Sequence, residues 1–536
     1  MPSPGAGAAP DLVLHGGALL TQDPALPRAE ALAVRGGRIQ AVGSSADVLA
    51  LAGPGTRRVD LGGRALIPGF NDAHIHVWKV GDLLTRQLDL RPLDSLAALA
   101  AVLRDAHARL PPGAWILGRG YNEARLAEGR SPDRRDLDAA APGRAVFLIR
   151  VCGHIAVASS RALETAGINP GTAVPKGGAI LRDASGVPTG VLHETAMGLV
   201  SSHAPEPTAA EHEAMVLAAA RRQLSLGITT AGEAGVLPPL MAVYRALDAR
   251  GALPYRVNAM ALRRPLGGPE TLPLPEPFVS DRLRADTVKV FADGGLSGAT
   301  AALRVPYRGR EAQEDRGLLR ANAEELVELT REAHLKGLRV ATHVIGDRAI
   351  DAVLDAYEAL ARLGPGPRHR LEHFGLPHPD QVARAVRLGA FAVPQAVFVH
   401  DLGRNFRQHL PDALLSRAYP LRDMLRAGLP VALSSDAPVV ADENPLLGLR
   451  AAVLRRDEDG EAIAPEQSIS AAEALFAYTM GGALASGDGG NRGSLTPGKW
   501  ADLAVLTADP TAVPPEALAD LRVDLTFVAG EPAFER

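Results

Sequence analysis

The chain has 536 residues, of which 46% are hydrophobic and 22% charged, and a formal net charge of −4. It is too long for one ordinary compact core, so we expect more than one folding unit. Scattered basic residues argue against a nucleic-acid-binding surface, and the lack of an apolar run of about 18 residues argues against a membrane span. The single cysteine, Cys152, and a start without signal-peptide features predict a cytoplasmic protein.

The two ends of the chain share one pattern. Residues 11–66 alternate short apolar segments with glycine turns, which is typical of a small antiparallel sheet. The same pattern returns at residues 501–506 and 524–530. Because a sheet of a few strands is only marginally stable alone, we expect residues 1–66 and 487–536 to form one small β-sandwich domain.

The middle of the chain, residues 67–486, predicts an α/β fold, a (β/α)8 TIM-like barrel. One apolar run precedes His74, and seven more follow at residues 228–230, 255–260, 287–291, 338–342, 370–372, 390–393 and 430–434. Amphipathic helical patterns separate several of these runs, and eight is the number of strands that closes a parallel barrel. Residues 78–226 are far longer than a crossover requires, so we interpret them as largely an inserted α/β subdomain.

His74 and His76 are the first candidates for a functional site. They follow the apolar run at residues 65–67, and in an extended segment residues i and i+2 project from the same face. Imidazole is a common zinc ligand, so the two histidines could form half of a metal site. Considered alone, they could also be satisfied histidines packed in a turn.

A barrel places its chemistry at the C-terminal ends of several strands. Four residues occupy such positions: Lys289 in the fourth predicted strand, His343 after the fifth, His373 after the sixth and Asp436 after the eighth. With His74 and His76 they make six candidate metal ligands. The alternative for Asp436 is an N-cap of the following helix.

Lys289 is unusual because it lies in the middle of an apolar strand, between Val288 and Val290. An unpaired ammonium is costly in a sheet buried on both faces. The lysine could lose its proton, form an ion pair with Asp293, or react with carbon dioxide to give a carbamate that bridges two metals. We favour the carbamate, because the predicted histidines lie beside it.

Several segments together resemble the amidohydrolase superfamily, and most of all the amidohydrolase 3 branch that contains N-substituted formamide deformylases. The resemblance covers nearly the whole chain and is carried by residues 68–76, 288–294, 342–347, 371–373, 435–438 and 493–503. Two segments, 295–300 and 393–396, depart from the pattern of the branch. We expect both to lie where barrel loops contact the substrate.

The resemblance implies two divalent metal ions, expected to be zinc. His74, His76 and Asp436 would hold one ion, His343 and His373 the second, and carboxylated Lys289 would bridge them. Metal binding lowers the pKa of water to about 7 and supplies a hydroxide nucleophile, for which Asp436 would act as general base and then general acid.

The predicted activity is hydrolysis of a non-peptide C–N bond in a small amide, formamide or cyclic amide, by a protein that could form a homodimer. His154 matches a Gly-His that is typical of the branch, and it could contact the substrate or be a packing histidine.

Two alternatives stay open. A mononuclear deaminase on the same fold would not need a carboxylated lysine. A catalytically inactive scaffold would be expected to have lost some ligands, whereas all six candidates are present here.

Overall fold

The structure is a computed structural model that describes residues 9–123, 125–151, 153, 155–175, 178–265 and 270–536. The described residues form two compact units. One lies within Met1–Val77 and Ala220–Arg536, and the other lies within Trp78–Ala219. Among the described helices, none has the length and apolar character that a membrane crossing requires.

Seven parallel strands, which we number in chain order, form most of a barrel wall in the first unit. They are β1 (Phe70–Ile75), β2 (Ile228–Val236), β3 (Arg256–Leu262), β4 (Leu283–Phe291), β5 (Arg339–Val344), β6 (Arg370–His373) and β7 (Phe391–Val393). Each pairs with the next, and a short strand, Phe278–Val279, adds antiparallel to β4. The predicted α/β barrel class is therefore confirmed.

The eighth wall position is not a regular strand. Residues 430–434 form a single parallel bridge, between Ala392 and Val431. On the other side, the N–H of Ala73 donates to the carbonyl of Leu433 at 3.4 Å, and that of Asp436 to the carbonyl of His74 at 2.8 Å. This segment therefore nearly closes the barrel between β7 and β1.

The first barrel strand lies later in the chain than predicted. The apolar run at 65–67 belongs to a separate strand, Ala65–Pro68, and β1 begins after Gly69 and contains His74 itself. The expectation that the run at 65–67 enters the barrel was wrong, because one glycine separates two strands that join different sheets.

Helices pack around the wall. Ala323–Leu335 shows why they form: it begins with a capping box of Asn322 and Glu325, and Gly337 adopts φ 73° just beyond its end. The other helices of this unit are Ser45–Leu49, Pro238–Ala249, Asp347–Arg362, Pro379–Arg387, Val397–Asp401, Gly403–His409, Asp412–Leu415, Leu421–Arg426, Pro445–Leu454, Ala471–Phe476, Ala477–Gly481 and Gly482–Ala485, with short 3-10 turns at Glu311–Gln313, Pro465–Gln467 and Pro515–Asp520.

The two chain ends meet in a pair of sheets. A four-stranded sheet contains Arg38–Gly43, Ala31–Arg35, Leu12–His15 and Arg57–Asp60, and a six-stranded sheet contains Glu531–Glu535, Val523–Val528, Leu503–Leu506, Ala65–Pro68, Ala18–Leu20 and Arg28–Ala29. Leu14 and Val34 from the first sheet share one core with Leu66, Val505 and Phe527 from the second. The sheets therefore pack face to face.

The unit within Trp78–Ala219 is built on a mixed six-stranded sheet of Gly178–Arg182, Pro188–Glu194, Ile155–Ala158, Val146–Arg150, Ile116–Tyr121 and Leu88–Asp89. Alternate residues face opposite sides: Val146 and Leu148 enter one apolar cluster, and Phe147 enters another. Its helical segments are Val77–Thr85, Leu96–Arg109, Arg134–Ala140, Ser160–Thr165, Thr195–Met197, Gly198–Ser201 and Ala209–Ser225. The first and last of these continue into the barrel unit.

A buried ion pair joins the barrel to the sheets of the chain ends. Arg256, at the start of β3, donates to Asp502 at 2.5 and 2.8 Å, and both side chains are at most 5% exposed. The indole of Trp500 lies between the guanidinium groups of Arg38 and Arg256, 3.9 and 4.7 Å from its centroid. Burial alone would raise the pKa of Asp502, but the Arg256 charge lowers it.

We expect Asp502→Asn to lower the free energy of unfolding by about 3–5 kcal/mol, because it leaves a buried guanidinium without its counter-ion. Urea unfolding measures the effect. Asp105→Asn is the matched control, since that carboxylate is 65% exposed in its pair with Arg109, and it should leave the urea midpoint in place. Equal midpoints for both variants would contradict the prediction.

Two histidines hydrogen-bond to each other beneath the barrel wall. His334 Nδ1 and His369 Nε2 are 3.0 Å apart, and His369 Nδ1 accepts the N–H of Val340 at 3.2 Å. Burial, with the nearby charges of His334 and Arg339, lowers the pKa of His369 to about 3. The Tyr357 ring also packs against it, with centroids 5.0 Å apart.

His369 should therefore make the fold acid-sensitive. Its folded pKa lies below the unfolded value of about 6.5, so the stabilisation is complete above that value and is lost as pH falls toward 3. Between pH 7.5 and 5.5 this one group should cost about 1.4 kcal/mol. His369→Gln keeps an acceptor and a donor but does not titrate. Urea unfolding at the two pH values should therefore show that the variant loses less free energy of unfolding than the wild type, by about this amount. An unchanged loss would refute the assignment.

Candidate metal centre

The strand ends bring the predicted metal ligands to one place. One ligand atom each of His74, His373 and Asp436 lies within 4.8 Å of the others, and all three residues are buried. His74 Nε2 and His76 Nε2 lie 3.4 and 3.3 Å from the same atom, Asp436 Oδ1. The His343 ring lies beside that of His373, with centroids 4.4 Å apart.

Each of the four imidazoles has one nitrogen hydrogen-bonded to an acceptor outside the cluster. Because a carbonyl or carboxylate oxygen can only accept, that nitrogen carries the proton and the other has a free lone pair. The contacts are His74 Nδ1 to Glu372 Oε2 at 2.5 Å, His76 Nδ1 to Ala234 O at 2.9 Å, His373 Nδ1 to Gln395 Oε1 at 2.7 Å, and His343 Nε2 to Gly294 O at 3.0 Å. Such outer contacts fix the tautomer of a metal-binding histidine.

Glu372 lies in the segment 371–373, and the sequence analysis assigned it no role. Arg370 Nε and Nη2 donate to its two oxygens at 2.6 and 3.1 Å, and Arg370 Nη2 also donates to the Ala73 carbonyl at 2.7 Å. Burial opposes ionisation, but the Arg370 charge and the hydrogen bond from His74 lower the pKa of Glu372. The carboxylate is therefore a permanent acceptor for His74.

Two of the ligands lie on strained backbone. His373 has φ 70° and Asp436 has φ 58°, a left-handed region that is uncommon for residues other than glycine. In a regular strand Glu372 and His373 would face opposite sides. The turn at His373 lets both side chains reach the same centre.

The protonation states of the histidines and of Asp436 favour binding of a cation. Burial, with nearby charges, lowers the pKa of His373 to about 3, and burial with the His373 and Lys289 charges lowers the pKa of His343 well below its usual value. Burial would raise the pKa of Asp436, but its contacts with His74 and His76 hold it well below the usual range. Imidazole nitrogens with free lone pairs surround a carboxylate, which is the donor set that zinc prefers.

Lys289 projects into the barrel. Val288 and Val290 belong to the core under the helices, so the lysine between them points to the interior, where it is 1% exposed. Its ammonium lies 5.2 Å from the centroid of the Phe291 ring, and that ring lies 5.3 Å from the His343 ring.

Asp293, the ion-pair partner that the sequence left open for Lys289, has a different role. Its carboxylate accepts the N–H groups of Ala302, Ile345 and Gly346 at 3.0, 3.0 and 2.8 Å. It therefore ties the loop after β4 to the loop after β5, beside His343.

Asp347, in the segment that follows His343, accepts the Arg304 N–H at 2.8 Å and faces His378 Nε2 at 3.0 Å.

Gln395, in the segment at 393–396 that was expected to contact substrate, faces His373. Gln395 is fully buried, and its Nε2 donates to Val393 O at 3.1 Å and Ser434 Oγ at 2.9 Å while its oxygen faces His373. Its role is to hold a histidine, a contact that depends on the packing of neighbouring strands and that the sequence alone did not indicate. His154 lies outside the described residues, so its role stays a prediction.

Gln395→Met should raise the dissociation constant for zinc by about 10- to 100-fold, since it removes the acceptor that orients His373. Competition with a chelator measures this. Gln381→Met is the control: Gln381 is equally buried and donates to Asp347 O and Asp351 Oδ1, so it should lose stability but keep its zinc affinity. A parallel loss of affinity in both variants would argue against the orienting role.

Comparison with known proteins supports this interpretation of the centre. A sequence profile of the amidohydrolase family, amidohydrolase 3, matches residues 57–534. N-substituted formamide deformylase of Arthrobacter pascens is 32% identical over 549 residues, covering 98% of each chain. Protein LONG AFTER FAR-RED 3 of Arabidopsis thaliana is 34% identical over 522 residues, 95% of this chain and 89% of that protein.

Among solved structures, an uncharacterized metal-dependent hydrolase from Pyrococcus horikoshii OT3 is similar in fold and sequence. It matches with a TM-score of 0.77 and 26% identity, over 94% of this chain and 99% of that one. The resemblance seen in the sequence is confirmed: the chain belongs to the amidohydrolase family of metal-dependent hydrolases.

Proposed function

We propose that this protein hydrolyses a non-peptide C–N bond in a small amide, formamide or cyclic amide. The observation that carries the proposal is the convergence of His74, His373 and Asp436 ligand atoms within 4.8 Å at the C-terminal ends of the barrel strands. A full-length relative named N-substituted formamide deformylase supports a C–N bond as the target.

The donor set fits two divalent ions, with zinc as the expected metal. His74, His76 and Asp436 would hold one ion, and His343 and His373 the other. Bound metal would supply Lewis acidity and lower the pKa of water.

Lys289 is proposed to carry a carbamate that bridges the ions. The ammonium would first lose a proton, and the neutral amine would then form an N–C bond with carbon dioxide and release a second proton. An anionic oxygen ligand would thus replace a buried positive charge. The predominance of imidazole nitrogens and the position of Lys289 beside His343 and His373 support this assignment.

Asp436 is the proposed proton carrier. Its pKa lies well below the usual range, so it is ionised at neutral pH and can accept a proton from the attacking water. Because its Oδ1 lies 3.3–3.4 Å from the Nε2 atoms of His74 and His76, it stays at the ligand cluster and can return the proton to the leaving nitrogen.

We expect the zinc-reconstituted protein to hydrolyse compounds from a panel of N-formyl, N-acyl and cyclic amides. Asp436→Asn should lower kcat by about 10²–10⁴-fold, because it removes the general base and acid. Product release measured by chromatography tests both statements. Asp380→Asn, an exposed helix N-terminal residue, is the control and should keep wild-type activity.

Metal counting separates the proposal from its rivals. Two zinc ions per chain, falling to at most one in Lys289→Ala, is the expected result. One tightly bound ion with activity that survives Lys289→Ala would favour a mononuclear deaminase. A chain that holds no metal and whose physiological activity survives Asp436→Ala would favour a scaffold protein.

A further inference from the structure

Asp72 is a fully buried aspartate in β1, two residues before the candidate ligand His74. One of its oxygens, Oδ1, accepts the N–H of His74 at 3.3 Å and the N–H of Ser435 at 3.1 Å. Ser435 is distant in the chain but directly precedes Asp436, a further candidate ligand. A single carboxylate oxygen therefore joins the strand that supplies two ligands to the segment that supplies a third.

This connection lies where the barrel wall is least regular. Residues 430–434 meet β7 in one bridge, between Ala392 and Val431. They meet β1 through the N–H of Ala73 at 3.4 Å, and the N–H of Asp436 adds a bond to β1 at 2.8 Å. Because no regular strand pairs with β1 on this side, a side chain that accepts one N–H from each element replaces hydrogen bonds that a ladder would otherwise form.

The left-handed turn at Asp436 is held by hydrogen bonds on both sides. The N–H of Ser435, before it, donates to Asp72, and its own N–H donates to the His74 carbonyl. After it, the N–H of Ala437 donates to Ser435 Oγ at 3.1 Å. Two side chains, those of Asp72 and Ser435, thus specify a backbone conformation that an aspartate rarely adopts.

The spacing of the ligand atoms depends on this turn. Asp436 Oδ1 lies 3.4 and 3.3 Å from the Nε2 atoms of His74 and His76. Those histidines extend from β1, whereas Asp436 extends from the opposite element, so a shift of one element against the other would change both distances. A residue without an acceptor at position 72 would also leave two buried N–H groups unpaired, which favours such a shift.

We propose that Asp72 is a positioning residue whose Oδ1 sets the place of Asp436 against the histidines of β1. The inference rests on the proposed metal-dependent hydrolysis. Asp72 acts through Asp436 and His74 and has no contact with substrate in this role. Because Asp436 is both a proposed ligand and the proposed proton carrier, its displacement should weaken zinc binding and lower kcat, while KM should change little.

The test measures zinc affinity by competition with a chelator, and kcat and KM on the amide that the substrate panel identifies. Asp72→Ala removes the acceptor of both N–H groups, so the Kd for zinc should rise and kcat should fall, each by about 10- to 100-fold. Asp72→Asn keeps an oxygen for the two N–H groups and should stay close to wild type. Ser435→Ala removes the acceptor of one N–H, and its Kd for zinc should rise by about 2- to 10-fold.

Asp457→Ala is the matched control. Asp457 is also buried, and its Oδ1 likewise accepts two backbone N–H groups, those of Asp459 and Glu461, at 3.0 and 2.9 Å. Its loop supplies no candidate ligand, so this variant should lose Tm but keep its zinc affinity and kcat.

Wild-type zinc affinity and kcat in Asp72→Ala would overturn the inference. Equal losses in Asp457→Ala would trace the effect to stability alone, and an equal loss in Asp72→Asn would trace it to the charge, so either result would also overturn it. If Asp72→Ala does not fold, an unchanged zinc affinity in Ser435→Ala would count against the positioning of the turn. A wild type that binds zinc but cleaves no amide would overturn the proposed function, whereas the zinc affinities of the variants would still decide the role of Asp72.

Discussion

The centre depends on one buried negative charge, the Glu372 carboxylate. Arg370 pairs with one side of this carboxylate and His74 hydrogen-bonds to it, so Glu372 stays ionised although burial opposes its charge. Because the Glu372 carboxylate can only accept a hydrogen bond, His74 carries its proton on Nδ1 and presents Nε2 to the other ligands. Because Arg370 also binds the Ala73 carbonyl, the same guanidinium ties β6 to β1, the strand that supplies His74 and leads directly to His76. The contacts of Arg370, Glu372 and His74 therefore set the charge of Glu372, the tautomer of His74 and the position of β1 against β6.

Backbone strain occurs at two ligands of the centre. His373 and Asp436 adopt left-handed φ values although neither is a glycine. His373 ends β6 and Asp436 follows the eighth wall position, and their ligand atoms meet in the centre. A regular strand alternates its side chains between the core and the interior, so the strained turns let consecutive residues serve one centre. The buried and regularly paired strands of the wall stabilise the fold and offset the free-energy cost of these backbone conformations.

The barrel and the positions of its ligands were predictable because both depend on local patterns. Strand runs are apolar, and each ligand lies in or just after one, as His343 and His373 do. The outer contacts were not predictable, since they join different strands: Gln395 reaches His373 because β6 and β7 are neighbours in the sheet. The start of β1 was misplaced for a related reason. The apolar run at 65–67 indicates burial, but it does not show that Gly69 separates two sheets.

The proposed carboxylation of Lys289 would couple the charge of this side chain to metal binding. As an ammonium it lies close enough to lower the pKa values of His343 and His373, and it would likewise repel a cation that they held. Carboxylation would change the side chain from one positive to one negative charge and so reverse that repulsion. Since coupling of this kind is reciprocal, a bound metal must favour the carbamate by the same factor by which the carbamate favours the metal. Carboxylated Lys289 would therefore suit a centre that holds cations, and its position says more about the proposed chemistry than the His74–His76 pair alone.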